Sequence, residues 1–246
     1  MRLNKSLGQH FLSDFSYLKR ESELFNCKDK VVLEIGGGDG RLSKHLFRVC
    51  KILYIVEKDE RFIQHLISYF SKFENVEIIS DNFLEIEPFK VDLIVGNVPY
   101  YISSEIVFKL LDWPVNSFFL MFQKEFGLKL VAEGKDKSRL SFFSQYYFDM
   151  KKHFIVPKKA FTPPPKVDSI LIEFKRKEVQ NLEKQVHNLI SFFYQHKPKT
   201  IRASLRLYCK QNKINFPSDL DLNKYLDKRI YELNTNETIE FINKIK

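Results

Sequence analysis

Between Val31 and Phe174, short apolar runs alternate with longer segments of helical period, and this alternation constrains the chain more than any other feature. Val31–Ile35, Ile52–Val56, Val76–Ile79, Val91–Val95 and Ser117–Phe122 are rich in β-branched and aromatic residues and predict strands. Between them, Arg41–Val49, Asp59–Phe70 and Ser103–Leu111 carry apolar residues three and four apart and predict helices. Such a succession gives βαβ units and a parallel sheet covered by helices on both faces. Lys152–Val156 and Val167–Phe174 flank the proline-rich loop Pro157–Pro165 and predict an antiparallel hairpin at the sheet edge. After Lys175-Arg176-Lys177 the pattern is helical only. The expected organisation is an α/β, Rossmann-like sheet domain over residues 1–178 and a small all-helical domain over 179–246.

The glycine-dense turn Glu34-Ile35-Gly36-Gly37-Gly38-Asp39-Gly40 follows the first of these strands and precedes a helix. Glycines there let the backbone approach a ligand with no Cβ in the way. Nucleotide-type cofactors bind at this carboxyl edge, where the strand order reverses. The dinucleotide pattern GxGxxG requires glycine at position 41, where Arg41 stands, so an anionic pyrophosphate is not the expected guest. A nucleoside without phosphates suits the turn better, and S-adenosylmethionine is the commonest cofactor of that kind. Glu57 ends the second strand, where a carboxylate can accept hydrogen bonds from both ribose hydroxyls. Asp81 follows the third strand, placed to accept the adenine amino group of the cofactor.

The fourth strand ends in Gly96-Asn97-Val98-Pro99-Tyr100. An adenine N6 is a poor nucleophile because its lone pair is delocalised into the ring. Two acceptors that draw its N–H groups out of the plane localise that pair and aim it at a sulfonium methyl. Asn97 offers a side-chain oxygen, Val98 or Pro99 a main-chain carbonyl, and Pro99 keeps the turn rigid. Tyr100 can stack on the base, a contact worth about 1–3 kcal/mol. A base inside a helix cannot reach such a pocket, so the target is single-stranded or flipped out. Phe161, on a loop stiffened by Pro163, Pro164 and Pro165, is the candidate second aromatic wall; a core anchor for that loop is the equal alternative.

Taken together, Lys5-Ser6-Leu7-Gly8-Gln9-His10-Phe11-Leu12, the Glu34–Gly40 turn, Asn97–Tyr100 with Tyr101-Ile102-Ser103-Ser104, and the Phe161–Ser169 segment closely resemble the ribosomal RNA small-subunit adenine dimethyltransferases (KsgA-like). The resemblance runs from Leu3 to Phe174 and more loosely through Ser191–Leu207 to the end. It implies dimethylation of two adjacent adenosines in a hairpin near the 3′ end of small-subunit ribosomal RNA, and cofactor contacts at His10, Leu12, Gly36, Glu57, Asp81 and Asn97, with Gly38 in the same turn. This chain departs from the family pattern in three places. His10 stands where Asn is frequent, Gly37 where Pro is common, which is expected to loosen the turn, and Val98 where Leu is usual.

Charge agrees with a polyanionic partner. With 40 Lys and Arg against 31 Asp and Glu, the 246-residue chain carries a formal charge of +9. Lys199, Arg202, Arg206 and Lys210, spaced 3, 4 and 4 apart, predict one basic face of an amphipathic helix over 199–210, with Ile201, Leu205 and Tyr208 roughly opposite. Lys151, Lys152, Lys158, Lys159 and Lys166 extend that footprint. Cys27, Cys50 and Cys209 lie far apart without CxxC spacing and the six histidines are scattered, so neither a disulfide framework nor a metal site is expected, and a reducing cytoplasm fits. No secretory leader and no membrane-spanning run is expected. A monomer acting on a pre-ribosomal particle is the expected state. Two other readings share these features. One is a large-subunit ribosomal RNA adenine methyltransferase, from which Ser138-Arg139-Leu140-Ser141 and the C-terminal helices separate it. The other is a mainly non-catalytic small-subunit assembly factor, against which the intact Asn97–Tyr100 stands.

Overall fold

The structure, a computed structural model, describes residues 10–217 and 222–246. The segment Lys5–Gln9 of the N-terminal motif lies outside the described residues. The chain groups into two compact units. The first comprises Met1–Gly127 and Phe148–Arg176, the second Leu128–Tyr147 and Lys177–Lys246. The sequence predicts a single cut near residue 178; the contacts instead group Leu128–Tyr147 with the residues from Lys177 on.

The first unit opens with two elements that the apolar pattern does not reveal, β1 (Phe11–Leu12) and α1 (Phe15–Phe25). The predicted alternation follows: β2 (Val31–Ile35), the single turn α2 (Ser43–Leu46), β3 (Ile52–Glu57), α3 (Glu60–Phe70), β4 (Val76–Ser80), β5 (Leu93–Asn97), α4 (Ser103–Leu111) and β6 (Ser117–Gln123). The helix expected over 41–49 is thus reduced to four residues. Helix α3 starts where Asp59, its N-cap, accepts the Arg61 N–H. After α5 (Lys124–Leu130) and α6 (Arg139–Tyr147) come β7 (Phe148–Val156), β8 (Phe161–Thr162) and β9 (Ser169–Arg176).

Seven strands form one sheet in the order β4-β3-β2-β5-β6-β9-β7. The five from β4 to β6 are parallel, and β9 and β7 complete the edge antiparallel, as the hairpin prediction requires. β1 and β8 pair separately, with Phe11 opposite Thr162 and Leu12 opposite Phe161. From β2 the chain moves outward to β3 and β4, then returns to β5 and moves the other way to β6. The order therefore reverses between β2 and β5, and the crevice at their carboxyl ends is where a doubly wound sheet takes its ligand. Gly96 makes this junction close, because a Cβ there would lie 2.7 Å from the Ile35 carbonyl oxygen.

Among its described residues the second unit is helical apart from one bridge pair, Thr200 with Arg229. α7 (Lys184–Gln195) buries Val186, Leu189, Ile190 and Phe193, and α10 (Thr235–Ile245) buries Phe241 and Ile242. The Phe193 and Phe241 rings meet edge to face at 5.1 Å. Between them lie α8 (Ile201–Asn212) and α9 (Asn223–Leu226). No helix among the described residues is long and apolar enough to cross a membrane.

Candidate active site

A crevice opens at the β2/β5 reversal, wholly within the first unit, and every sequence-predicted cofactor and catalytic residue lines it. Its floor is the glycine turn after β2. Gly36, Gly38 and Gly40 hold φ of +76°, +53° and +78°, the left-handed region that glycine adopts without strain. The N–H groups of Gly36 and Gly37 both donate to the Val56 carbonyl, at 2.8 and 3.1 Å, and tie the turn to β3. Gly37 does not loosen the turn, contrary to expectation. A proline would lack the second of these bonds, and a Cβ at Gly37 would lie 2.2 Å from Ile55 Cγ2, so the isoleucine already fills the space. Phe11 packs in the same way onto Gly38, where a Cβ would meet its ring at 2.5 Å. Gly36 is the open position, its nearest neighbour being Pro99 Cδ at 3.8 Å.

Glu57, at the tip of β3, is more than a carboxylate waiting for a ligand. Its Oε2 accepts the Gly38 N–H at 2.8 Å, while Oε1 accepts the Lys58 and Asp59 N–H groups at 2.9 Å each. The acid thus staples the glycine turn to β3 and keeps its charge at the crevice. Asp81 is exposed at the tip of β4, and its Oδ1 accepts the Asn82 N–H at 2.6 Å. Glu34 lies beneath the turn, 2% exposed, and accepts the Ser43 hydroxyl at 2.6 Å. Burial pushes its carboxyl up to about 8.

On the facing side, Asn97 ends β5. Its Nδ2 donates to Glu21 Oε2 at 3.2 Å, and its Oδ1 is buried with no hydrogen-bond partner among the described residues. Val98 is buried, and Pro99 and Tyr100 border the crevice. The Tyr100 hydroxyl shares a 2.6 Å hydrogen bond with Ser169 Oγ on β9, and burial raises its pKa. The His10 ring lies nearly parallel to that of Tyr100, 22° between planes and 6.0 Å between centroids. Because a carbonyl only accepts, His10 Nδ1–H donates to the Pro163 carbonyl at 2.8 Å. Leu12 is buried in the wall. Phe161, 4% exposed and paired through its backbone with Leu12, is anchored in the core while bordering the crevice, so its loop is fixed by apolar packing.

The residues present fit S-adenosylmethionine. The turn offers close approach, the cations that border it, Arg41 and Lys58, are engaged by Asp39 and the Tyr101 hydroxyl, the carboxylates Glu57 and Asp81 favour hydroxyls, amines and a sulfonium over phosphate, and one buried acceptor, Asn97 Oδ1, has no partner among the described residues. Glu21 is the residue that the motifs miss. Its signal is spacing: α1 buries Leu18, Glu21 and Phe25, so a carboxyl occupies an apolar position three residues after one and four before the other.

The predicted basic face is only partly realised, within the second unit. Lys199 precedes Thr200, the N-cap of α8, and so does not lie on the helix. Arg202, Arg206 and Lys210 do share its face, and Ile201 and Leu205 are buried. Arg202 Nε and Nη2 donate to Asp227 Oδ1 at 3.1 and 3.0 Å, so its charge is already partnered. Arg206 and Lys210 are exposed.

Comparison with known proteins agrees with this geometry. The family model for ribosomal RNA adenine dimethylase matches residues 1–244. The chain is 37% identical over 213 residues to the probable ribosomal RNA small subunit methyltransferase A of Methanococcus maripaludis (strain C5), covering 83% of this chain and 81% of that one. It is 34% identical over 247 residues to the ribosomal RNA small subunit methyltransferase A of Mycoplasmopsis synoviae, covering 96% and 94%. Among solved structures, a dimethyladenosine transferase from Plasmodium falciparum superposes with a TM-score of 0.81 at 25% identity, over 96% of this chain and 97% of that one. The 23S rRNA methyltransferase ErmE shares the fold, with a TM-score of 0.68 at 24% identity over 95% and 99%. The motifs, the sheet and these similarities agree: the chain belongs to the ribosomal RNA adenine dimethylase family.

Proposed function

We propose that this enzyme transfers methyl groups from S-adenosylmethionine to the N6 nitrogens of two adjacent adenosines in a hairpin near the 3′ end of small-subunit ribosomal RNA. The observation that carries the reading is Asn97 Oδ1, a buried acceptor with no donor among the described residues, on a side chain at the tip of β5 that borders the crevice at the strand reversal. Small-subunit enzymes supply the names of the relatives that support the choice of RNA, whereas ErmE supports only the fold.

Bound S-adenosylmethionine supplies an electrophilic methyl group. Glu57 receives the ribose hydroxyls on the lone pairs that its three backbone donors leave. Asp81 accepts the cofactor's amino group, and Gly36, Gly38, Leu12 and His10 complete the wall. Asn97 Oδ1 and the carbonyl of Val98 or Pro99 hold the two N6 hydrogens of the target adenine, which turns the nitrogen lone pair toward the methyl group. Tyr100, steadied by Ser169, stacks on the base face. No general base is needed, because the methylated ammonium loses its proton to water. Arg206 and Lys210 of α8 and the lysines of β7 and its following loop contact RNA phosphates. In this reading the chain acts as a monomer on a pre-ribosomal particle in the cytoplasm.

The test is incubation with labelled S-adenosylmethionine and undermethylated small subunits, followed by nucleoside analysis and primer-extension mapping. The expected product is N6,N6-dimethyladenosine at two adjacent positions. Asn97→Ala is expected to keep RNA binding while losing most transfer. Label in large-subunit RNA instead, or unchanged turnover in Asn97→Ala, refutes the reading.

A further inference from the structure

Glu21 lies in the middle of α1 with no exposure to solvent, at a helix position whose neighbours along the same face, Leu18 and Phe25, are apolar. A leucine would suit that position. Burying a carboxyl there costs stability, since Oε1 has no partner among the described residues and Oε2 has one, the Asn97 amide nitrogen at 3.2 Å. A buried group with a single contact to a proposed catalytic side chain is best explained by that contact.

The geometry points to Glu21 as a positioning residue that fixes the orientation of the Asn97 carboxamide, holding its NH2 against α1 so that Oδ1 is the atom left for the adenine amino group. This rests on the functional reading above and adds a residue outside its motifs. An asparagine amide is nearly symmetric in shape, and a half-turn about its last bond exchanges oxygen for nitrogen. With NH2 toward the substrate, two donors would face each other and the adenine N–H would have no acceptor. Glu21 Oε2 excludes that state. It can only accept as a carboxylate, and as a neutral acid it accepts with its proton on Oε1, the arrangement that the contact from Asn97 Nδ2 to Oε2 requires. Burial holds the Glu21 carboxyl up to about 8, so the neutral form is the prevalent one at pH 7.

Two variants and two readouts test this. Glu21→Leu removes the acceptor while suiting the apolar surroundings. It is expected to lower kcat about tenfold, the effect of losing one hydrogen bond of ordinary strength. KM for the cofactor and the melting temperature should not fall. Glu21→Gln keeps a carbonyl that can accept and should restore most of the lost kcat. The second readout needs no turnover: in protein labelled with 15N-asparagine, the Asn97 side-chain NH2 pair, identified by its absence in Asn97→Ala, should shift in Glu21→Gln. Unchanged kcat in Glu21→Leu, a fall in melting temperature without a fall in kcat, or an unmoved NH2 pair in Glu21→Gln overturns the proposal. Should Glu21→Leu not fold, the NH2 pair in Glu21→Gln decides alone. Wild-type chain that leaves undermethylated small subunits unlabelled refutes the functional reading instead, and the NH2 shift still reports whether Glu21 grips Asn97.

Discussion

Replacing Glu57 by glutamine separates two roles that its position alone would confuse. If the acid only awaited ribose, the cofactor-free protein would not register the change. The structure gives it three backbone donors, Gly38 on Oε2 and Lys58 and Asp59 on Oε1. A glutamine must turn its NH2 toward one of these sides. Facing Lys58 and Asp59 it loses two bonds; facing Gly38 it loses one, so the carboxamide settles with NH2 against Gly38. The bond lost is charge-assisted and worth about 1.5–3 kcal/mol, with the lower end apt for a group that is half-buried. In chains of this size each kcal/mol moves the melting temperature by about 2–4 °C. Glu57→Gln without cofactor is therefore expected to melt about 3–6 °C below wild type by circular dichroism. Calorimetric titration with S-adenosylmethionine should show affinity down about tenfold, or 1.4 kcal/mol. A cofactor-free variant that melts with wild type would refute the argument that this carboxylate staples the glycine turn to β3.

Stability between pH 5 and 8 should fall as pH rises. Glu21 and Glu34 are both pushed from 4.5 to about 8 by burial, so the folded state holds protons that the unfolded state releases. Their contribution is complete below pH 4.5 and is lost as pH rises through 8, at up to about 1.4 kcal/mol per pH unit for each proton. His45, whose pKa is lowered by burial, opposes this near its ordinary value of 6.5. Urea unfolding across that range should show a shallower pH slope for Glu21→Gln than for wild type, and parallel slopes would remove Glu21 from the account. RNA binding should respond to Arg206→Glu combined with Lys210→Glu by weakening, and the slope of log affinity against log salt should shrink by about 1.5–2. Arg202→Glu, which discards an existing pair with Asp227, should shift that slope less; identical salt slopes across all three proteins would take α8 out of the RNA footprint.

The elements that carry the site were legible because their signals are local. β2 and α4 match their predicted bounds, and β3, β4 and β5 differ only at their ends, since apolar runs and helical spacing are set by nearby residues. Lys199 shows the limit of that method, because the spacing rule extends a helix past Thr200, whose side chain accepts the Ala203 N–H and starts it. β1 and β8 are two residues each and exist through their pairing across the chain, which no window around either one reports.

The glycine turn and Glu21 show why the rest was not legible. Four glycines within five residues suggest space kept for a ligand, yet the space beside Gly37 belongs to Ile55 and that beside Gly38 to Phe11, leaving Gly36 as the one that faces Pro99 across the crevice. Only the fold can say which neighbour a missing Cβ admits. Glu21 is the converse case: its place in the apolar rhythm of α1 marks it as anomalous, but its partner lies 76 residues away on β5. A carboxyl at an apolar helix position is a local signal that something distant needs an acceptor. The reversal of strand order between β2 and β5 creates the crevice where Asn97 meets it. Sequence therefore locates the atoms that face the ligand more readily than the atoms that hold them still, because the former follow strand tips and the latter follow packing.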